Sequence, residues 1–219
     1  MNDQGKAYVH ALGFSPLTPF YDAVLWLLGE TRFWPALVEQ AGIQPEHRVL
    51  DLACGTAGMT LLAKTAQPML TMAALDGDRN ALGIARSKAA QAHVSLPLHC
   101  GLSFALPYPD ACFDRVLSCL FFHHLTPVNK ATTFAEVFRV LRPGGELHVA
   151  DWGRPHNVLM RAAFLAVRLF DGFENTAHHA RGLLPRYMSD AGFEGVEEPR
   201  TFATLTGSMV LCRARKPAA

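Results

Sequence analysis

The sequence predicts an α/β fold built on an open parallel sheet, and three observations lead to that prediction. In segment 48–66, an apolar strand containing Asp51 is followed by small residues and then by a helical pattern. Strand-like and helix-like segments alternate up to residue 151, which places consecutive strands parallel with right-handed crossovers. The 219 residues are 50% apolar and 18% charged, which suits one domain with a sizeable core.

The alternating region contains five predicted strands and the helices that connect them. The strands are expected at 47–52, 70–76, 94–100, 113–118 and 146–151, and the helices at 58–66, 79–92 and 130–141. Pro97 weakens the third strand, because proline cannot donate to a sheet. The run Arg142-Pro143-Gly144-Gly145 is a sharp stop signal for the third of these helices.

The segments outside this region are mainly helical. Helices are predicted at 18–28, where Pro19 occupies the first turn, and at 32–40. After Asp151 the alternation breaks, and helices are predicted at 157–170 and 177–190, the second complicated by Gly182 and Pro185. Two β-like runs, 200–205 and 208–213, are joined at Thr206-Gly207 and predict a hairpin. We therefore expect an N-terminal helical cap (1–45) and a core (46–219) with a helical insertion (155–192).

Composition and charge exclude several classes of protein. The net charge of +1 with no basic block weighs against a nucleic-acid partner. Five scattered cysteines without a C-x-x-C pair predict a reducing, cytoplasmic setting and neither a disulfide framework nor a metal site. No signal peptide is visible in residues 1–20. The apolar run 158–170 is too short to span a bilayer and contains Arg161 and Arg168. The oligomeric state stays open.

The turn after the first strand is a candidate ligand site. Small residues let a backbone approach a ligand closely, and the following helix offers free N–H groups. The turn lacks the G-K-[ST] of a phosphate loop, and its spacing is not G-x-G-x-x-G. Asp51 would repel a pyrophosphate, so the turn suits a ligand with a cationic or hydroxyl-rich part. The alternative is an ordinary βα turn whose small residues serve packing.

Asp76 ends the second strand, about 25 residues after Asp51. An acid near this distance beyond the first turn binds ribose hydroxyls in nucleotide-binding folds. The alternative role is that of a helix N-cap, which Asp78 could fill instead.

Histidines follow the fourth strand at the same edge of the sheet. His123 or His124 could act as a general base, or either could be a packing residue. Adjacent histidines do not share a face, so we expect only one to point inward. The same spacing argues against a metal site formed with His178-His179. Trp152 could line a substrate pocket or lie in the core. Helix 157–170 could be a lid exposing Phe164, Leu165 or Phe170, or it could pack on the sheet.

Four motifs in order resemble the class I S-adenosylmethionine-dependent methyltransferases, especially the ubiquinone/menaquinone-biosynthesis type. They are V-L-D-L-A-C-G-T-A-G at 49–58, A-A-L-D at 73–76, L-P-Y-P-D-A-C-F-D-R-V-L-S at 106–118 and V-L-R-P-G-G-E-L at 140–147. The resemblance covers residues 47–151, about half the chain. It implies a Rossmann-like, seven-stranded, mostly parallel sheet with an antiparallel last strand and helices on both faces.

The resemblance also implies positions that bind S-adenosylmethionine. The methionine part would lie on Asp51, Ala53, Gly55 and Thr56, with Ser118, Cys119 and Tyr21 nearby; Asp76 would bind ribose, and Gly77, Gly101, Leu102 and Ser103 would lie near adenine. The sequence departs from the family pattern at three of its positions. Ala53 and Ala57 replace glycines, which is tolerable if φ stays negative. Leu102 replaces an Asp that often contacts the adenine amino group, at a cost of about 1 kcal/mol.

Methyl transfer from a sulfonium needs mainly positioning and desolvation of the nucleophile. A base is needed only where the acceptor loses a proton. His123 is the first candidate, and Tyr21, His124 and His156 are weaker ones, none with a partner evident in the sequence. The apolar segments 1–45 and 152–195 favour a small apolar or aromatic acceptor. Two alternatives are an NAD(P)-dependent oxidoreductase on a related sheet and a non-catalytic cofactor-binding protein.

Overall fold

A seven-stranded sheet is the centre of the fold within residues 33–218, the part of the chain that this computed structural model describes. Along the chain the strands are β1 (Arg48–Leu52), β2 (Thr71–Asp76), β3 (Leu98–Cys100), β4 (Phe113–Cys119), β5 (Leu141–Trp152), β6 (Glu194–Thr204) and β7 (Gly207–Arg215). Their order in the sheet is β3-β2-β1-β4-β5-β7-β6. Strands β1 to β5 are parallel, and β7 is antiparallel to both of its neighbours. The predicted fold class is confirmed.

The helices of the described range follow the predicted order. They are α1 (Phe33–Gln40), α2 (Gly58–Ala66), α3 (Arg79–Gln91), α4 (Pro127–Val140), α5 (Val158–Asp171), α6 (Phe173–Ala180) and α7 (Leu184–Asp190). The prediction of a single helix at 177–190 is wrong, because the helical conformation is interrupted between α6 and α7. Gly182 takes a left-handed φ of 68° there, and a proline opens the first turn of α7.

The helix predicted at 18–28 lies outside the described residues, so the boundary drawn between residues 45 and 46 stays a prediction.

Three strands differ in length from their predicted bounds. Strand β3 has only three residues, Leu98–Cys100, because Pro97 immediately before it has no N–H to donate. The stop signal at 142–145 ends α4 at Val140 as expected, but β5 already starts at Leu141. The pairing with β4 shifts register between Leu141 and Glu146, so the intervening residues form a bulge. Strand β6 starts at Glu194, six residues before the predicted start at residue 200.

Alternation along the strands builds one apolar core on each face of the sheet. In β7, Val210 and Cys212 point into one core, while Met209 and Leu211 point into the other. The first core is covered by α4 and α7, where the Phe122 and Phe134 rings stack with centroids 4.3 Å apart. The second is covered by α1, α2 and α5 and includes Trp152 and Phe164. Helices therefore lie on both faces, and the ends of the strands are left for ligands.

The turn between β1 and α2 is conformationally strained. The sequence allowed alanine at positions 53 and 57 if φ stayed negative, but φ is 59° at Ala53 and 60° at Ala57. That condition is not met. A left-handed conformation costs a residue with a Cβ roughly 1–2 kcal/mol. The chain keeps the backbone of a glycine turn at both positions without having glycine there.

We expect the substitution Ala53→Gly to raise the free energy of unfolding by about 1 kcal/mol, since relief of the left-handed strain exceeds the added chain entropy. Urea denaturation measures the change. The matched control is Ala135→Gly, at an exposed position inside α4, which should lower the free energy of unfolding by about 1 kcal/mol. Equal destabilisation by both substitutions would contradict the strain argument.

Candidate active site

The carboxyl ends of the parallel strands form a crevice where the direction of strand order reverses. Strand β1 lies between β2 on one side and β4 on the other. Ligands of open α/β sheets bind at such a switch point. The loops that follow β1, β2, β4 and β5 therefore meet at one edge. We call the part formed by the loops after β1 and β2 the cofactor side and the part formed by the loops after β4 and β5 the acceptor side, after the roles predicted from the sequence.

Asp51 is the buried acid of the first loop. Its side chain is accessible to solvent at only 1%, and the Thr60 hydroxyl donates a hydrogen bond to its Oδ2. Burial raises the pKa of Asp51 to about 7; the hydrogen bond from Thr60 opposes the shift, and the nearby Asp76 adds to it. Among the described residues, no side chain caps α2, which starts at Gly58. The loop thus offers a carboxyl group that ionises readily beside a cation, next to backbone N–H groups that suit an anion.

Asp76 lies at the end of β2 and turns its carboxylate toward the first loop. Its Oδ2 accepts from the Gly55 N–H at 2.8 Å, and its Oδ1 accepts from the Asp78 N–H at 2.7 Å. Burial raises the pKa of Asp76, although these backbone donors oppose the shift. The N-cap of α3 is Asp78, whose Oδ1 accepts from the Asn80 N–H at 2.8 Å. The alternative in which Asp76 caps the helix is therefore wrong.

The remaining predicted cofactor-side residues differ in what they present to the crevice. Gly101 continues the pairing of β3, donating to the Asp76 carbonyl at 3.1 Å, and Gly77 is half-buried. Leu102 is 39% exposed. The Ser103 hydroxyl is buried and bonded to the Thr133 hydroxyl of α4 at 2.8 Å, so this side chain points away from the crevice. The Thr56 hydroxyl accepts from Lys88 Nζ at 3.0 Å, which ties the first loop to α3.

On the acceptor side, His123 forms a close pair with Asp151 at the end of β5. His123 Nδ1 lies 2.6 Å from Asp151 Oδ1, and the His123 N–H donates to Oδ2 at 3.3 Å. The Trp152 N–H also donates to Oδ1, at 2.7 Å. Because an ionised carboxylate can only accept, Nδ1 carries the proton of the shared hydrogen bond. In the neutral form of this ring the basic nitrogen is Nε2, and the neutral ring is the form needed in a general base.

A second buried histidine lies beside this pair. His179 of α6 places Nε2 at 3.7 Å from Asp151 Oδ2, beyond hydrogen-bond distance, and neither of its ring nitrogens has a hydrogen-bond partner among the described residues. Burial alone would raise the pKa of Asp151, but His123 and His179 hold it well below its usual range. Burial lowers the pKa of His179, with Asp151 opposing. The carboxylate therefore stays ionised.

Lys130 of α4 connects the loop after β4 to α6 through its buried ammonium group. It is fully buried, and its Nζ donates to the Leu125 and Asn175 carbonyls, both at 2.7 Å. Burial lowers its pKa to about 8, although Asp151 opposes the shift. The amide of Asn175 donates to the His124 carbonyl at 3.3 Å. These contacts fix the loop that carries His123 against α6.

The other candidate bases differ from His123 in the contacts that they make. The rings of His123 and His124 pack with centroids 4.0 Å apart, and it is His123 Nδ1 that pairs with Asp151 Oδ1. His156 is bonded to the Ser208 hydroxyl at 2.7 Å near the start of α5. His178 points to the Tyr187 hydroxyl at 2.6 Å, so it diverges from His179. Tyr21 lies outside the described residues.

Residues at the end of β4 and in the insertion complete the comparison with the predicted site. Ser118 is fully buried, and its Oγ has no hydrogen-bond partner among the described residues; Cys119 is half-buried. Trp152 is a core residue, 2% exposed. The expectation that Phe164 faces a substrate is wrong, because it is 1% exposed and packs on Trp152 with centroids 5.8 Å apart. Leu165 is exposed, at 46%, and the side chain of Phe170 lies outside the described residues.

A sheet of this order, with an acid in the first loop and a second acid ending β2, defines a class of protein. It is the arrangement of class I S-adenosylmethionine-dependent methyltransferases, which the sequence motifs resemble.

Comparison with known proteins agrees with that class. A family profile described as a methyltransferase domain matches residues 49–145. A demethylmenaquinone methyltransferase from Deinococcus radiodurans is 32% identical over 74% of this chain and 67% of its own length. A ubiquinone/menaquinone biosynthesis C-methyltransferase from Shewanella pealeana is 30% identical over 87% of this chain and 85% of its own length. The chain spans 67%, 62% and 65% of the first three relatives it matches.

The crystal structure of the YcgJ protein from Bacillus subtilis shares the fold, with a TM-score of 0.69 and 18% identity over 86% of this chain and 100% of that one. That likeness concerns the fold alone. On the evidence of the profile and the curated relatives, the chain belongs to the class I S-adenosylmethionine-dependent methyltransferases of the ubiquinone/menaquinone-biosynthesis type. The cofactor of this family is S-adenosylmethionine.

Sequence reasoning missed Asp151, Lys130 and His179 as parts of the site. The sequence contained one signal for Asp151. It ends the fifth predicted strand, whereas His123 follows the fourth. The sequence contained no signal for Lys130 or His179. A lysine in an amphipathic helix and a histidine in a pair are expected at the protein surface.

Proposed function

We propose that this protein transfers the methyl group of S-adenosylmethionine to a small apolar or aromatic acceptor, with His123 as the general base. The observation that carries this proposal is the 2.6 Å contact between His123 Nδ1 and the buried Asp151, beside the cofactor side of the crevice. The names of the curated relatives support a finer version, in which the acceptor is a demethylmenaquinone-like ring and the methylated atom is carbon.

The cofactor side fits S-adenosylmethionine in charge. Its ammonium group would be held near Asp51, whose pKa burial raises to about 7 and which a neighbouring cation would favour in the ionised form. Its carboxylate would lie at the uncapped start of α2, where Gly55 and Thr56 shape the turn with Ala53. A ribose hydroxyl would donate to Asp76, since its carboxylate has about four acceptor sites and the Gly55, Gly77 and Asp78 N–H groups use three of them.

The other positions carried over from the family are proposed contacts of the same ligand. Adenine would lie against Gly77, Gly101 and Leu102, with Ser103 contributing its backbone, and the methionine moiety would lie near Ser118, Cys119 and Tyr21.

His123 would act on the acceptor rather than on the cofactor. When bound, S-adenosylmethionine supplies a methyl group already activated by its sulfonium. A reduced quinone ring becomes a good carbon nucleophile when a ring hydroxyl loses its proton, and His123 would accept that proton. Loss of the proton on the methylated ring carbon would then restore the aromatic ring. Asp151 orients the imidazole through Nδ1 and stabilises it once protonated, as a carboxylate does for a catalytic histidine. The buried surroundings of the pair exclude water from this proton transfer.

The setting of this reaction is also a proposal. All five cysteines are free thiols, which is consistent with a reducing cytoplasm. We expect one small-molecule acceptor and no nucleic acid. The oxidoreductase alternative is disfavoured, because the relatives and the family profile are those of methyltransferases. The alternative of a non-catalytic binding protein is separated from an enzyme by the variants below.

Replacing the proposed base should slow the chemical step and leave cofactor binding intact. We expect His123→Ala to lower kcat by 10²–10⁴-fold, the usual contribution of a positioned base, with an unchanged Kd for S-adenosylhomocysteine. Transfer of labelled methyl to a reduced demethylnaphthoquinone is the assay. The matched control is His156→Ala, which removes a histidine bonded only to Ser208 among its described contacts and should leave kcat within about twofold. Full activity of the His123→Ala variant would show that His123 is not the general base.

Cofactor affinity should depend on pH through Asp51. Its pKa is about 7 in the free protein, so below pH 7 the group is protonated and must lose its proton to pair with the ligand ammonium. We expect the affinity for S-adenosylhomocysteine to rise by up to about tenfold per pH unit below 7 and to level off above pH 8. Calorimetric titration at several pH values measures it.

The control for that titration is Asp51→Asn, which should bind more weakly and show a flat pH profile. The variant His123→Ala should keep the slope of the unsubstituted protein. A slope that persists in Asp51→Asn would show that another group titrates.

Restoring the missing acid near adenine should tighten binding. Leu102 is 39% exposed, so Leu102→Asp should not disturb the core. A hydrogen bond to the adenine amino group is worth about 1 kcal/mol, which predicts a roughly fivefold lower Kd for S-adenosylhomocysteine. The isosteric control Leu102→Asn retains a carbonyl acceptor and should give a smaller gain, whereas Leu102→Ala should give none. Weaker binding by Leu102→Asp would place adenine elsewhere.

A further inference from the structure

Helix α5 is apolar on two sides, although only one of them packs on the sheet. Its inner side buries Met160, Phe164 and Val167, which are 7%, 1% and 9% exposed. Its outer side carries Val158, Ala162, Leu165 and Leu169, which we call the α5 stripe. The three larger members are 84%, 46% and 67% exposed. Their spacing of three, four and seven residues places them in one row along the helix. A contiguous exposed apolar row is unusual on a protein that meets only water.

Arginines accompany the stripe and lack acidic partners in the described part of the chain. Arg161 and Arg168 lie two turns apart on one flank of the stripe, and Arg181 follows α6 across a groove of about 550 Å³. The Arg168 guanidinium lies 4.6 Å from the centroid of the Phe173 ring, and its buried Nε has no hydrogen-bond partner among residues 33–218. Phe173 is itself 49% exposed. Three such cations beside apolar side chains complement a surface that is both anionic and apolar.

We propose that α5 is an interfacial helix that attaches the protein to an anionic lipid bilayer. The α5 stripe lies at the boundary between headgroups and acyl chains, and Arg161, Arg168 and Arg181 contact lipid phosphates. An amphipathic helix with arginines on its flank binds in the plane of the interface in this way. None of the helices within residues 33–218 is long and apolar enough to cross a membrane. The inference stands on α5 and α6 and does not depend on which acceptor is methylated.

The charge of the surface selects the bilayer over other apolar partners. A second copy of this chain would bring like-charged arginines together across the stripe. An apolar ligand alone would leave the three guanidinium groups uncompensated. An anionic leaflet satisfies both the apolar side chains and the cations, and each arginine near such a surface adds a salt-sensitive attraction.

The test is cosedimentation of the full-length protein with large vesicles, either of phosphatidylcholine alone or of phosphatidylcholine mixed with phosphatidylglycerol. We expect binding to the mixed vesicles, weakened by high salt, and at least about tenfold weaker binding to phosphatidylcholine. The variant Arg161→Gln/Arg168→Gln should lose about thirtyfold in partitioning, and Leu165→Gln/Leu169→Gln should also lose binding. The matched control is Val128→Gln/Arg86→Gln, which changes an exposed apolar residue of α4 and an exposed arginine of α3 and should bind normally.

Three results would overturn the proposal. Equal binding to both kinds of vesicle, or binding to neither, would remove the anionic surface as the partner. A marked fall in Tm for Leu165→Gln/Leu169→Gln, absent in the control, would mean that the stripe is covered within the chain. A dimer in sedimentation velocity that dissociates in the same variant would assign the stripe to a second copy.

Discussion

The buried carboxylate of Asp151 is the group on which the acceptor side of the crevice depends. It has no exposure to water and receives the Trp152 N–H at 2.7 Å and the His123 ring at 2.6 Å, with His179 at 3.7 Å. An ionised carboxylate without partners is very costly in such surroundings, so these groups must stay in place for the fold to be stable. One charge at the end of β5 therefore positions the loop after β4 and, through His179, the α6 helix of the insertion.

The two sides of the crevice are in opposite electrostatic states. On the cofactor side, burial raises the pKa of Asp51 and of Asp76, because no described cation compensates them strongly. On the acceptor side, histidines lower the pKa of Asp151 despite its burial. The cofactor side can therefore gain free energy by binding a cationic, hydroxyl-rich ligand. On the acceptor side the charge of Asp151 is already compensated, so a histidine there can accept a proton. This division matches a reaction in which one ligand brings the positive charge and the other gives up a proton.

The sequence predicted those parts of the fold that depend on local pattern. The strand, small-residue turn and helix around Asp51, the N-cap option at Asp78 and the terminal hairpin all follow from residues close in the chain. The left-handed φ of Ala53 and Ala57 could not be predicted, because the tertiary packing of the turn overrides the preference of alanine. The pair formed by His123 and Asp151 joins residues 28 apart, and it follows only from the register of β4 with β5. The sequence contains His123 and Asp151 but does not show that they lie close together in the fold.

Contacts of α5 and α6 connect the α5 stripe to the crevice. Phe164 of α5 packs against Trp152, the neighbour of Asp151, while Lys130 ties Asn175 of α6 to the loop that carries His123. The first contact is made by the inner side of α5, and the second by α6, the next helix along the chain. A surface bound by the outer side would thus hold the crevice at a set height and orientation, without any change of shape in the site. Such an attachment favours acceptors that reach the protein from a bilayer, because the encounter is then confined to the plane in which they diffuse.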